Sequence, residues 1–274
     1  MPDLIVPLID EAASTPQLAL VIPTFNEAGN ITPLLERVAA ALGPAGITYE
    51  VIVVDDESSD ATAERVRDVS ARDAHVRLII RKDERGLASA VVRGWQNSQA
   101  AVLGVMDADL QHPPELLPEL WRAMQSGAGA DLALASRYVP SASTKGWSLT
   151  RRLLSVVGIW TTGFVLPKER RVSDPASGFF LVRRQAIAGV PLAAQGFKLL
   201  LEILVLMKPV RGSIGRVVEV PFQFGVRQAG KSKGSAGVVV DYFVLLWKLR
   251  RVGAAASAGA DSAADNNGPD ARIK

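Results

Sequence analysis

Five times between Gln17 and Tyr138 an apolar run of strand length breaks off at a short polar connection, most often one leading into a helical pattern. The runs are Gln17–Ile22, Tyr49–Val54, Val76–Ile80, Val102–Met106 and Asp131–Tyr138. Most are apolar without interruption, as buried strands are, and their alternation with helices specifies an α/β fold with a mostly parallel sheet covered on both faces. In open sheets of this kind, ligands bind beyond the carboxyl ends of the strands. The residues at which each run stops are therefore the ones to read for chemistry.

Two runs stop at acids. The second ends in Asp55-Asp56-Glu57, and the fourth reads Val102-Leu-Gly-Val-Met-Asp107-Ala-Asp109-Leu-Gln111-His-Pro-Pro-Glu115. Carboxylates one residue apart at a strand tip hold hard anionic oxygens close together, and a divalent cation carrying a diphosphate is their natural occupant. The competing reading makes Asp109 a cap for the helix that Pro-Pro-Glu115 starts. The chain has no Cys and only two His, His75 and His112, so disulfides, a thiolate nucleophile and a histidine-rich metal site are excluded, and a metal would sit on oxygen as Mg2+ or Mn2+. The first turn, Pro23-Thr-Phe-Asn-Glu-Ala-Gly29, is not the glycine fingerprint of a dinucleotide fold, and no Walker lysine loop occurs. A net charge of +3 is too mild to argue for nucleic acid.

Asn30 is predicted to cap a first helix with Ile31, Leu34, Leu35 and Val38 on its apolar face, and a second helix is expected near Asp60 to Asp73. A third begins at Gly86. Beyond Ser141 the texture changes. Lys145 to Ser155 is basic and runs into apolar Val156–Leu166, either a buried helix or one lying on a membrane surface. Ser173–Val182 reads as a polar turn entering a strand, Phe197–Met207 as a helix with the lone acid Glu202, and Gly215–Phe222 as a strand. Arg227–Gly234 is a basic, glycine-bearing loop suited to phosphate, although a solvated charge run is its ordinary explanation. Val238–Arg251 is an amphipathic segment too short and too charged to cross a bilayer, so it is a packed helix or an interfacial anchor, and the Ala, Gly, Ser and Asp after Gly253 suit a disordered tail. No stretch of eighteen uncharged apolar residues and no signal peptide is read.

Taken together, Pro23-Thr-Phe25-Asn-Glu27, Asp55-Asp56, Asp107-Ala-Asp109-Leu-Gln111, Ser136-Arg137-Tyr138, Ser173-Asp174 through Gly178-Phe-Phe180 and Arg227 through Lys233 resemble, in order and spacing, the inverting glycosyltransferases of the GT-A fold, and within them the dolichol-phosphate mannose synthase branch. The resemblance implies a Rossmann-like GT-A domain at 17–235, with an extension at 1–16, an amphipathic helix at 236–252 and the tail at 253–274. It implies that Pro23, Phe25, Glu27, Val54 and Asp56 line a nucleotide pocket, that Asp107, Ala108 and Asp109 meet the donor diphosphate, and that Asp107, Asp109 and Gln111 hold Mg2+ or Mn2+. Arg137, Arg151 and Ser155 match positions that hold a lipid phosphate, with Arg137 also near the donor, and Arg227 and Lys233 match a loop that closes over the diphosphate. Asp109, Arg137 and Arg151 are the residues expected to carry catalysis. Glu57 stands where the family usually has Gly, and Gly234 where Leu is common.

The activity so implied is inverting transfer of mannose from GDP-mannose to a dolichyl or polyprenyl monophosphate. Its alternatives are a UDP-glucose-dependent transfer to a polyprenyl phosphate or soluble polysaccharide, and a silent nucleotide-sugar-binding subunit of a membrane assembly. A cytoplasmic protein peripheral to the membrane surface is expected, with a membrane-protein partner subunit left open and no nucleic acid.

Overall fold

The computed structural model describes residues 4–6, 15–125, 129–138, 166, 170–192, 199–208, 210 and 215–222. The expected segment at 145–165, Arg151, Ser155, Arg227, Lys233, the helix at 236–252 and the tail at 253–274 lie outside them. The strands are β1 (Leu4–Ile5), β2 (Leu18–Thr24), β3 (Tyr49–Asp55), β4 (Val76–Ile80), β5 (Val102–Val105), β6 (Leu132–Ser136), β7 (Phe180–Arg183), β8 (Pro191–Leu192) and β9 (Val217–Pro221). The helices α1 (Ala28–Leu42), α2 (Thr62–Ser70), α3 (Leu87–Gln96) and α4 (Leu117–Gln125) alternate with the early strands, and Leu199–Leu206 is a further helix.

Seven strands form one sheet in the order β4-β3-β2-β5-β7-β6-β9. The five runs read from the sequence become its parallel strands; β7 is wedged antiparallel between β5 and β6. Leu18, Leu20 and Ile22 point to one apolar layer with α1, α2 and α4, while Ala19 and Val21 point to the other with α3 and Leu199–Leu206. Both faces are therefore dry, as the uninterrupted apolar runs require. On the second face α3 lies directly on the sheet: a Cβ on Gly94 would fall 2.6 and 2.7 Å from the Val21 methyls.

The chain proceeds from β2 outward to β3 and β4, then returns to place β5 on the opposite side of β2. That reversal opens a crevice between the carboxyl ends of β2 and β5, where ligands of such sheets bind. Farther off, Arg184 is buried with its Nε donating to Ala100 O at 2.8 Å and Nη2 to Ser98 O at 3.0 Å. Burial pushes its pKa down to about 10, against the opposing pull of Glu50, and the cation closes the carboxyl end of α3. The N-terminal β1 pairs with β8, which buries Val6 on the domain.

One helix start differs from expectation. α1 begins at Ala28 with Glu27 at the cap position, and Asn30 sits inside the helix, its Nδ2 donating to Glu27 Oε2 at 2.8 Å. The reason lies in the next loop, which caps the helix from outside: Glu27 N donates to Thr62 Oγ1 at 2.9 Å and Ala28 N to Asp60 Oδ2 at 3.1 Å. With those amides satisfied, Asn30 is not needed as a cap.

Candidate active site

The loops after β2 and β3 are laced together on one side of the crevice. Asn26 and Glu57 both take left-handed backbone, with φ of 59° and 56°. Asn26 N donates to Ser58 Oγ at 2.8 Å and Ser59 N returns a bond to Asn26 Oδ1 at 2.9 Å. Asp55 is fully buried and accepts from Thr24 Oγ1 and Ser58 N, both at 2.8 Å, so it shapes the turn. Asp56 is held differently. Its Oδ1 accepts from Arg81 Nε at 2.8 Å and Nη2 at 2.5 Å, and its Oδ2 from Gly86 N at 2.9 Å. The guanidinium of Arg85 lies 4.1 Å from the centroid of the Phe25 ring, a cation–π contact at the rim. Register places Pro23 beside Val54 and Thr24 beside Asp55, so Pro23, Phe25, Glu27 and Asp56 gather at one corner. The Val54 side chain instead turns into the core against α3, which leaves its backbone for any ligand contact.

Across the crevice, Met106 N donates to Val21 O at 3.2 Å and brings the acids of β5 alongside the end of β2. Asp109 Oδ1 accepts from Gln111 N at 3.2 Å, closing a tight turn over Leu110. Leu110 takes φ of 61°, a strained conformation for a bulky residue that costs about 1–2 kcal/mol and concentrates at functional sites. Asp109 is not a helix cap: the short helix Pro114–Leu116 has Pro113 at that position and no side-chain cap. Ala108 is buried between the two acids.

Asp107 is one-third exposed, and its Oδ2 lies 3.8 Å from Nδ1 of the buried His112. His112 packs between the Phe179 and Phe222 rings. Burial, and then the charge of Arg137, push its pKa down to about 3, so it is neutral and leaves the negative charge of Asp107 in place. Gly178 closes this wall; a Cβ there would stand 2.7 Å from Asp107 Oδ2.

At the end of β6, Arg137 donates to Asp174 three times, from its backbone N at 3.1 Å, Nε at 2.6 Å and Nη2 at 2.7 Å. Burial alone works against the Arg137 charge, but the hydrogen bonds and charge of Asp174, with smaller help from Tyr138 and Asp107, raise its pKa above the ordinary arginine value. A permanent cation thus stands within electrostatic reach of Asp107.

This donor set suits a hard divalent cation. Among the described residues no three His, Asp or Glu side chains converge as a closed metal cage. Asp107, Asp109 and Gln111 offer carboxylate and amide oxygens, the donor type that Mg2+ or Mn2+ takes together with substrate phosphates. The structure brings Asp107, Ala108, Asp109, Gln111 and Arg137 to one end of the sheet. Asp174 and Gly178 stand in a sequence motif that gives them no role of their own, and no local pattern marks Arg81 or Arg85; for His112 the available signal is its position directly after Gln111.

A mostly parallel sheet with paired acids at its switch point and a fixed arginine beyond them places polar, charged groups where α/β proteins bind their ligands. The model of glycosyl transferase family 2 matches residues 19–190; the chain belongs to that family and is a glycosyltransferase of the GT-A fold. It is 41% identical to the dolichol-phosphate mannosyltransferase of Pyrococcus furiosus over 86% of this chain and 64% of the relative, so it spans slightly under two thirds of that protein. It is 36% identical to the dolichol-phosphate mannosyltransferase of Saccharomyces cerevisiae over 85% of this chain and 86% of the relative. With the polyprenol monophosphomannose synthase of Mycolicibacterium smegmatis it shares 31% identity over 86% and 88% of the two chains. Among solved structures, mannosyl-3-phosphoglycerate synthase from Rubrobacter xylanophilus superposes with a TM-score of 0.64 at 16% identity, covering 86% of this chain and 73% of that one. Glucosyl-3-phosphoglycerate synthase from Mycobacterium tuberculosis, in complex with Mn2+, UDP-glucose and phosphoglyceric acid, gives 0.63 at 18% identity, covering 90% and 87%. These two share the fold.

Proposed function

We propose that this protein transfers mannose from GDP-mannose to the phosphate of a polyprenyl or dolichyl monophosphate, with inversion at the anomeric carbon. The observation that carries the reading is the placement of Asp107 and Asp109 across the switch-point crevice from the Phe25 and Asp56 corner, with the fixed Arg137 cation behind them. The corner by Phe25 takes the nucleotide and Arg81 holds Asp56 ready for it. Asp107, Asp109 and Gln111 hold Mg2+ or Mn2+, which when bound offsets the negative charge that develops on the departing diphosphate.

An acceptor phosphate is already anionic at neutral pH and needs positioning, not deprotonation. That requirement matches the site, because His112, whose Nδ1 lies 3.8 Å from Asp107 Oδ2, is buried and neutral with a pKa of about 3 and is a poor base. Arg137 holds phosphate in line with the sugar in this reading, and Arg151, Ser155, Arg227 and Lys233 are assigned the acceptor and donor phosphates by family resemblance. The lipid acceptor is met at the membrane surface, directly or through a partner subunit; among the described residues no helix is long and apolar enough to cross a membrane.

The test is transfer of radiolabelled mannose to polyprenyl phosphate, with a thermal-shift screen of GDP- and UDP-sugars with and without Mn2+. A true donor at a hundred times its Kd stabilises by about 2.7 kcal/mol. Asp109→Ala should abolish transfer. Turnover of that variant at the normal rate, or stabilisation by UDP-sugars alone, would refute the reading.

A further inference from the structure

We infer that Asp174 is a positioning residue whose task is to keep the Arg137 guanidinium off the acid pair, so that a fixed cation and a divalent metal can share the site. The inference rests on the metal reading above. An arginine beside Asp107 is a competitor for that carboxylate as much as a helper to a phosphate. With no opposing tether its fork would close on the acid, since bidentate arginine–carboxylate pairs are among the strongest hydrogen-bonded contacts a protein makes.

The geometry supplies the tether. Asp174 has only 1% of its side chain exposed and spends both oxygens on Arg137, Oδ2 on the backbone N and Nε, and Oδ1 on Nη2. The backbone bond fixes where the chain leaves β6, and the fork fixes the plane of the guanidinium. The turn bearing Asp174 is itself anchored. Ser173 N donates to both carboxylate oxygens of Glu219 on β9, at 3.0 and 2.9 Å, Ser177 N donates to Asp174 O at 3.2 Å, and Ala135 N on β6 donates to Phe179 O at 2.9 Å. Side chains locked by a supporting shell of this kind hold their aim to a fraction of an ångström. A buried ion pair is a poor device for stability alone, because an apolar pair of like volume serves as well or better. Its presence at the end of β6, on the same turn whose Gly178 abuts Asp107, fits control of charge placement.

The experiment measures Mn2+ binding in the presence of GDP, by calorimetry or electron paramagnetic resonance. Asp174→Asn releases Arg137 and should weaken Mn2+ by about tenfold or more, the usual scale for loss of a supporting contact at a metal site. Adding Arg137→Met to Asp174→Asn removes the competitor and should restore wild-type affinity, while Asp174→Glu, which keeps the charge, should recover most of it. Should Asp174→Asn not fold, Arg137→Lys reads the same competition, since lysine keeps the charge, cannot make the fork by which Asp174 holds the arginine, and so leaves a flexible ammonium to pair with Asp107, and about tenfold weaker binding is expected. Wild-type Mn2+ affinity in Asp174→Asn, or in Arg137→Lys where that variant stands in, overturns the inference, as does a double variant no tighter than Asp174→Asn. If the wild-type protein itself fails to bind Mn2+ with GDP, it is the metal reading that falls.

Discussion

Replacing Gly178 by alanine separates the site from the fold. The added Cβ would stand 2.7 Å from Asp107 Oδ2 and 3.1 Å from Oδ1, whereas ordinary contact begins at 3.4 Å. The carboxylate must therefore retreat by about 0.7 Å, more than the ±0.2 Å or so within which a metal–ligand distance holds. Asp107 can make that move cheaply because one-third of its side chain is exposed and the clashing atoms are at the far end of the side chain. Gly178 shows no left-handed backbone, so alanine there carries no conformational penalty and restricts the unfolded chain, an effect worth about 0.4–1 kcal/mol in favour of folding. The expected result is a thermal midpoint equal to wild type or slightly higher, with Mn2+ affinity in the presence of GDP reduced about 10- to 100-fold and transfer reduced with it. Calorimetric titration with Mn2+ and a parallel melt measure the two. Unchanged Mn2+ binding would refute the claim that Asp107 is a ligand held in place by the missing side chain; a large fall in stability would refute the claim that the strain is absorbed by the carboxylate.

The same substitution at Gly94 should behave in the opposite way, because its Cβ would meet the Val21 methyls at 2.6 and 2.7 Å in a dry layer that cannot retreat; a loss of about 1–3 kcal/mol in urea unfolding is expected. Glu57→Gly should stabilise by about 1 kcal/mol, since φ of 56° suits glycine and strains glutamate, and an unchanged melting midpoint would show the turn already relaxed. His112 sets a pH dependence. Its folded pKa of about 3 lies below the ordinary 6.5, so the unfolded chain takes the proton first, and the stability contributed is complete above 6.5 and lost as pH falls toward 3. Unfolding measured from roughly pH 7.5 to 4.5 should show wild type losing up to about 1.4 kcal/mol per pH unit more than His112→Gln below the unfolded pKa.

Much of the fold was legible because its signal is one-dimensional. An apolar run that never alternates must be buried on both faces, and that fact survives any tertiary arrangement, so β2 to β6 fall where the runs fall. The strand order was not legible in the same way. Nothing in Phe180–Arg183 says that β7 inserts between β5 and β6 in the opposite direction, because pairing partners are chosen by contacts far away in sequence. The start of α1 failed for a related reason. Asn30 has the right chemistry for a cap, but Thr62 and Asp60 on the next loop reach the amides first, and a local rule cannot see a donor's partner across more than thirty residues.

The site shows the same division. Asp107 and Asp109 stand out as two acids one residue apart at the end of an apolar run, and the structure removes their main structural use by leaving Asp109 out of the helix cap. What no local pattern could give is the sorting of charges that look alike in the sequence. Asp55 and Asp56 are neighbours, yet one is spent on Thr24 and Ser58 inside a turn while the other faces Arg81 at the crevice. Arg137 and Arg184 are both largely buried guanidiniums, yet the first has its charge reinforced by Asp174 and the second has its own depressed by burial among backbone carbonyls. The difference between a working cation and a structural one is therefore its partner. A carboxylate partner keeps the positive charge available against a low-dielectric wall, whereas carbonyls satisfy the N–H groups and leave the charge only partly offset. By that criterion Arg137, its charge reinforced by Asp174 and to a lesser degree by Asp107, is a cation kept available at the end of β6, as Arg81 on Asp56 is at the corner beyond β3.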